Sequence, residues 1–286
     1  MNYNDTTAPD ETLHLPRILC LHGGGSNAEV FHTQMRKIRA KLDTYFRLVY
    51  VDGPFICAAG PGVGMVYQHL SPFRRWLRWL PEHPEIDGET AVNEIDDTIA
   101  QAVREDDLRG ATGDCVGLFG FSQGAMVCAS LLLRQQKGQH RGTPLAEFNF
   151  KFAVICAGRA PLVRFGKGGG SDNEDGEDGD PSKYHLGDPA DRTTVFTNWP
   201  SRDDPPEVRI EYMLHIPTVH VHGSKDAGLS LHRKLMDLYC SPGSTELVQW
   251  CGDHRLPLKS DDVEAVVEEI INVARKTGSI PVDQTG

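Results

Sequence analysis

Three residues of this chain have the types and the order that acyl-group chemistry needs: Ser122, Asp226 and His254. Ser122 sits in Gly120-Phe121-Ser122-Gln123-Gly124, a G-x-S-x-G pentapeptide. An apolar run, Cys115 to Phe119, precedes it and a second, Ala125 to Leu133, follows it. A serine hydroxyl is a poor nucleophile unless it is fixed and exposed, with a base beside it and donors for the oxyanion that forms. A sharp turn from a buried strand into a buried helix supplies the position. Glycine at both ends removes the side chains that would collide where strand and helix cross. In a chain with 29 glycines the pentapeptide alone is a weak signal, and its strand-to-helix context is what gives it weight.

The partners follow downstream. Asp226 lies in His222-Gly223-Ser224-Lys225-Asp226, after the apolar run Thr218 to Val221, and His254 lies in Gly252-Asp253-His254-Arg255-Leu256-Pro257, after the run Glu246 to Trp250. Ser, Asp and His in that order, each just past a strand, is the order of α/β-hydrolases. In such a set His254 takes the Ser122 proton and returns it to the leaving group, while Asp226 orients the imidazole. The oxyanion needs two backbone N–H groups. One is expected from Gln123, the residue after the nucleophile. The other is expected from His22-Gly23-Gly24-Gly25 after the first strand, with Gly24 as the donor and Gly25 as the fallback. The Gln123 side chain is expected to point away from the chemistry and His22 to brace its loop by a hydrogen bond. His220 and His222 are expected as core histidines on a strand, and no metal site is expected, because they lack a third ligand at suitable spacing.

The elements that must position these residues alternate along the chain. Strands are predicted at Arg17–Leu21, Leu48–Val51, Cys115–Phe119, Phe152–Cys156, Thr218–His222 and Glu246–Trp250. Helical spacing runs over Val30–Leu42, Ala91–Val103, Ala125–Leu133, Leu231–Tyr239 and Asp261–Lys276. Fully apolar strands separated by amphipathic helices predict a mostly parallel sheet covered on both faces, with its ligand at the carboxyl ends of the strands. The fold class is therefore α/β, as one domain over residues 16–276. Two insertions interrupt it, at about 58–88 and 157–210, and both are expected to lie over the active-site end as lid material. Tyr67, Trp76 and Trp79 of the first are candidates to line a substrate pocket, with an aromatic helix packed on the core as the competing reading. Residues 1–15 and 277–286 read as tails, and 166–180, rich in Gly, Asp and Glu, as a segment too polar to order itself.

The net charge of −11 argues against a nucleic-acid partner. No apolar run reaches the length of a membrane helix. The start, Met1 to Asp5, has neither the basic nor the apolar part of a secretory signal. Seven scattered cysteines with no C-x-x-C spacing predict reduced thiols in a cytoplasmic protein. A serine-based mechanism needs no cofactor.

These pieces together resemble the FSH serine hydrolases, a family of small α/β-hydrolases. The matching segments are Ile18 to Gly25, Val49 to Pro54, Gly120 to Ala125, Ile216 to Gly223 with Asp226, and Gly252 to Pro257. Ala58-Ala59-Gly60-Pro61-Gly62-Val63 and the Trp76 region further resemble the members of polyketide pathways, of lovastatin and citrinin type. That resemblance implies a free-standing thioesterase that cleaves an acyl thioester from the carrier domain of a synthase. Arg74, Arg75 and Arg78 are then candidates for docking an acidic carrier. A general carboxylesterase for small acyl esters and a non-catalytic, ligand-binding scaffold are the competing readings.

Overall fold

The computed structural model describes residues 10–165, 186–190 and 199–282. Its centre is a six-stranded sheet built from β1 (Arg17–Leu21), β2 (Arg47–Val51), β5 (Cys115–Phe121), β6 (Phe152–Cys156), β7 (Thr218–Gly223) and β8 (Thr245–Trp250). They lie in the order β2-β1-β5-β6-β7-β8, and every pairing is parallel. The short β3 (Phe55–Cys57) and β4 (Phe73–Arg75) form a separate antiparallel pair. β1 and β6 are buried along their whole length, which is why they read as unbroken apolar runs.

Side-chain alternation splits the core into two layers. Leu19 and Leu21 of β1 point to one face, Ile18 and Cys20 to the other. A register shift in β5, where Arg17 pairs with Cys115 but Ile18 with Gly117, resets the alternation. Val116 and Phe119 thereby share a face although they are three residues apart. The first face is covered by α4 (Gly88–Leu108), α5 (Gln123–Gln136) and α7 (Leu229–Tyr239), through residues such as Ile95, Ile99, Leu131 and Leu235. The second is covered by α1 (Ala28–Gln34), α2 (Arg36–Leu42) and α8 (Ser260–Lys276), through Phe31, Ile38, Val263 and Ile270.

The single helix expected over Val30–Leu42 is two, broken at Met35, which ends α1 and starts α2. The stripe Phe31, Met35, Ile38 and Leu42 stays buried across the break. The apolar period was thus set by packing and did not require one continuous helix. Residues 10–15, expected as part of a loose tail, are tied down. Asp10 and Thr12 accept from the Arg47 guanidinium at 2.6 and 2.7 Å, and the Leu13 carbonyl accepts from the Thr112 N–H at 2.8 Å. The insertion at 58–88 is no aromatic helix. It holds α3 (Val63–Tyr67), a 3-10 turn over Gln68–Leu70 and β4. The described part of the second insertion both meets the cleft, through Arg159 and Ala160, and packs inward. Leu162, Val163 and Phe165 join the core, with the Val163 N–H donating to Ser130 Oγ at 2.9 Å. The segment 166–180 lies outside the described residues. Helix α4 is anchored to its neighbours through two acidic residues, Asp96 and Asp106. Asp106 accepts from Arg47, and Asp96 takes a bidentate pair from Arg134 of α5 at 2.7 and 2.8 Å.

The side chains of Asp96 and Arg134 are each only 2% exposed. Burial raises the Asp96 carboxyl above its ordinary value even against the attraction of Arg134. Removing one partner strands the other charge in the core. Asp96→Ala is expected to lower unfolding stability by about 3–5 kcal/mol. Urea denaturation of the variant beside the parent measures it, and a loss under about 1 kcal/mol is the result that contradicts a buried, mutually dependent pair.

Candidate active site

The turn after β5 bends sharply. Ser122 has φ 52° and ψ −113°, one of two non-glycine residues with positive φ among those described. Its N–H donates to the Cys156 carbonyl at 2.8 Å, which fixes the turn to the neighbouring strand end. The flanking glycines are demanded by close approach. A Cβ on Gly120 would stand 2.4 Å from the Ala125 backbone, and one on Gly124 would stand 2.2 Å from the Leu21 carbonyl oxygen. The strain at Ser122 persists because strand and helix are locked this tightly around it.

The structure brings the three sequence-predicted residues into one hydrogen-bonded line. His254 Nε2 lies 2.9 Å from Ser122 Oγ, and His254 Nδ1 lies 2.6 Å from Asp226 Oδ2. The other carboxylate oxygen, Asp226 Oδ1, accepts from the Gly228 N–H at 2.7 Å. Burial alone would raise the Asp226 carboxyl, but the Gly228 N–H and the His254 hydrogen bond outweigh it and hold it below the ordinary value. An ionised Asp226 accepts from Nδ1–H, which leaves Nε2 with a lone pair facing the serine hydroxyl. Such a line can move a proton from Ser122 Oγ onto His254 while the carboxylate balances the charge.

Ser122 and His254 open on a cleft of about 790 Å³. Gly23, Gly24 and Gln123 line it near the serine, and Tyr67, Trp79, Val63, Val66, Met126, Leu231, Leu256 and Leu258 supply most of its apolar wall. Gly24 faces Trp79 so closely that a Cβ would meet the ring at 2.8 Å. The Gly25 N–H donates to the Arg74 carbonyl at 2.9 Å, which removes the fallback oxyanion donor.

Trp76 is a correction. It is fully buried, its Nε1–H donates to the His22 carbonyl at 2.8 Å, and it does not line the cleft. The Gln123 side chain turns away from Ser122, as expected, and has structural partners. Its Oε1 accepts from the N–H groups of Trp76 and Leu77 at 2.8 and 3.2 Å, and its Nε2 donates to the Leu77 carbonyl at 3.0 Å. The residue after the serine therefore clamps the segment that carries Trp79. Of the three expected docking arginines, Arg75 is buried, while Arg74 and Arg78 are partly buried and hydrogen-bonded to loop carbonyls. The Arg75 guanidinium lies 4.9 Å from the Phe55 ring, Arg74 donates to the Gly53 carbonyl, and Arg78 donates to the carbonyls of His83 and Pro81.

Burial keeps His22, His220, His222 and His232 neutral. His22 donates from Nδ1 to the Gly23 carbonyl at 2.7 Å and accepts the Gly53 N–H on Nε2 at 2.8 Å, as its bracing role anticipated. His220 and His222 are buried on β7, and His222, His232 and His254 follow one another with ring centres 5.6 and 6.1 Å apart. Asp226, His232 and His254 offer one donor atom each within 4.8 Å of one another, a spacing a metal ion can use, but the short Asp226–His254 bond engages two of them. His232 escaped the sequence reading because it sits mid-helix, with no strand end before it. Arg159 also escaped it, although it follows β6 as the other site residues follow their strands.

No helix among the described residues is long and apolar enough to cross a membrane. All seven cysteines are free thiols. Residues 12–266 match the family model described as serine hydrolase (FSH1). The esterase citA of Monascus ruber is 47% identical over 274 residues, covering 94% of this chain and 96% of that protein. The esterase claE of Penicillium crustosum is 45% identical over 273 residues, covering 95% and 97%. Among solved structures, SOBER1 of Arabidopsis thaliana aligns over 90% of this chain and 98% of its own with a TM-score of 0.48 and 14% identity.

Burial pushes His22, His222 and His232 each down to about 4 and His220 to about 3. In the unfolded chain these rings titrate near 6.5. As pH falls below that value the unfolded state takes up protons that the folded state refuses, so stability is lost on the way down, most of it by pH 4 and the His220 share by about pH 3. The unfolding free energy by urea is expected to fall steeply between pH 6.5 and 4.5. His222→Leu should flatten the slope, and a parent curve that is flat across this window contradicts the buried neutral rings.

Proposed function

The chain belongs to the serine hydrolase (FSH1) family, and from that premise we propose that it cleaves a polyketide-type acyl thioester from a carrier domain through an acyl-serine intermediate. The observation that carries the reading is the unbroken hydrogen-bond line from Asp226 through His254 to Ser122 at the mouth of an apolar cleft. In this reading Ser122 Oγ attacks the acyl carbonyl as its proton passes to His254 Nε2. The backbone N–H groups of Gly24 and Gln123 receive the oxyanion. The second of them lies in the first turn of α5, where helix N–H groups lack internal partners. Collapse of the tetrahedral intermediate expels a thiolate, which takes the proton from His254. Water then attacks the acyl-serine with His254 again as base, releasing the carboxylic acid and restoring Ser122.

A thioester suits this machinery because its thiolate leaves easily, so a nucleophile, a base and two donors suffice. The wall from α3, with Val63, Val66 and Tyr67, together with Trp79, Leu231 and Leu258, suits an acyl chain of some length. The relatives citA and claE are both named esterases, which favours a second reading, hydrolysis of oxygen esters by the same residues.

Single-turnover acylation separates the two. Matched N-acetylcysteamine thioesters and oxygen esters are offered to the parent and to Ser122→Ala, with intact mass as the readout. A Ser122-dependent acyl-enzyme that forms much faster from thioesters is the expected result. Equal rates from oxygen esters make the esterase reading the better one, and no adduct at Ser122 defeats both. Asp226→Asn is expected to lower kcat by roughly 10⁴-fold, because the amide favours the wrong imidazole tautomer. A loss of less than about tenfold would remove Asp226 from its assigned role.

A further inference from the structure

The cleft has a charge of its own that the acyl-cleaving residues do not use. The protein carries a net charge of −11, yet the described residues lining the cleft include three arginines, Arg36, Arg159 and Arg255, and no Asp or Glu. Two of the three are accounted for locally. Arg255 makes two bonds to Asp253 at 2.6 and 2.9 Å, and Arg36 donates to the Thr33 carbonyl. Arg159 has no such partner among the described residues.

Its placement is specific. Arg159 follows β6 by three residues, just past Ala157, whose φ of 51° makes it the other positive-φ non-glycine residue among those described. Ser122 and Ala157 thus turn at the ends of adjacent strands, and backbone strain of this kind gathers at functional sites. The Arg159 guanidinium then lies over Gly228, the residue before α7. A Cβ there would stand 2.7 Å from Nε and 2.8 Å from Nη2, so a glycine makes the room. The acid of that loop, Asp226, does not neutralise it, because its oxygens are committed to the Gly228 N–H and to His254. The fork is solvent-reachable and shares the cleft with Ser122.

We infer that Arg159 forms an oxyanion-binding subsite of the cleft, which takes a carboxylate or phosphate carried by the substrate at a distance from the scissile acyl bond. The inference rests on the hydrolase reading for its catalytic consequence. The guanidinium fork is suited to bidentate pairing with either group, and its attraction is strongest where apolar walls exclude water. Two parts of an acyl-carrier substrate can bring such an anion: a free carboxylate on the acyl chain, or the phosphate of a phosphopantetheine arm. The subsite adds specificity that the apolar wall lacks, since an apolar cleft alone discriminates poorly among chains of similar length.

Two substrate pairs distinguish the sources. One is the adipoyl thioester of N-acetylcysteamine against its ω-methyl ester. The other is hexanoyl phosphopantetheine against hexanoyl pantetheine. The ratio of kcat/KM within each pair is measured for the parent, Arg159→Gln and Arg159→Lys. The parent is expected to prefer the anionic member of one pair by about 10- to 100-fold, the range of a charge-assisted hydrogen-bonded pair. Arg159→Gln should collapse that ratio toward one, Arg159→Lys should keep part of it, and added salt should shrink it. The pair that shows the effect names the source. No preference in either pair, or an equal loss on both members in Arg159→Gln, overturns the subsite while the hydrolase reading stands. If no substrate acylates Ser122, the subsite is read from binding instead. The amide analogues of both pairs are titrated into Ser122→Ala and into Ser122→Ala with Arg159→Gln. Tighter binding of an anionic analogue that depends on Arg159 upholds the subsite, and equal affinities overturn it.

Discussion

The structure depends on one close approach: helix α5 starting almost in contact with the ends of β1 and β5. Gly124 lies against the Leu21 carbonyl and Gly120 against the Ala125 backbone, with no room for a side chain at either. Between them Ser122 is held in a left-handed conformation that an isolated serine avoids. The cost of that conformation is carried by the packing of two core layers, which holds strand and helix in place whether or not the serine is comfortable. The site inherits its rigidity from the sheet, and a loop alone would not supply it.

The same approach organises the surroundings. Because α5 begins at Gln123, the backbone N–H at its first turn and the Gln123 side chain emerge together beside the serine. The side chain reaches the 76–77 segment with three hydrogen bonds. The loop after β1 is joined to the same insertion through Gly25, Ser26 and Arg74, with the Arg74 N–H donating to the Ser26 carbonyl at 2.6 Å. Trp76 closes the circuit by donating to the His22 carbonyl, and His22 holds Gly53 in turn. The Ser122 turn, the glycine loop and the cleft wall are therefore parts of one hydrogen-bonded unit. A change in any of them is felt at the others.

Electrostatics divides the site into a part that holds charge and a part that refuses it. Asp226 keeps its charge although buried, because a backbone N–H and an imidazole N–H both point at it. His22, His220, His222 and His232 are pushed the other way by burial and remain neutral rings. The ring of His232 comes within 3.8 Å of Asp226 Oδ2, too far to replace His254 at that oxygen. His254 is thus the histidine that combines the carboxylate with access to the cleft.

Much of this was legible in the chain because it is governed by local patterns. Apolar runs of strand length, separated by helical stripes, dictate a parallel sheet. The residues that follow each strand must then gather at one end of it, which is why Ser122, Asp226 and His254 could be named from spacing alone. What lies between the strands was not legible, because an irregular segment is shaped by the surfaces it meets. Trp76 and Trp79 are three residues apart in the same insertion, yet one is buried against His22 and the other faces the cleft. Arg75 was read as a surface charge and is buried against Phe55, since a β-hairpin rather than a helix carries it. Gln123 was read as a bystander because its partners lie more than 40 residues away. Period and order along the chain determined the sheet and which residues gather at its carboxyl end. Only tertiary contact, made between segments with no periodic signal, decided which side chains would become wall, clamp or core.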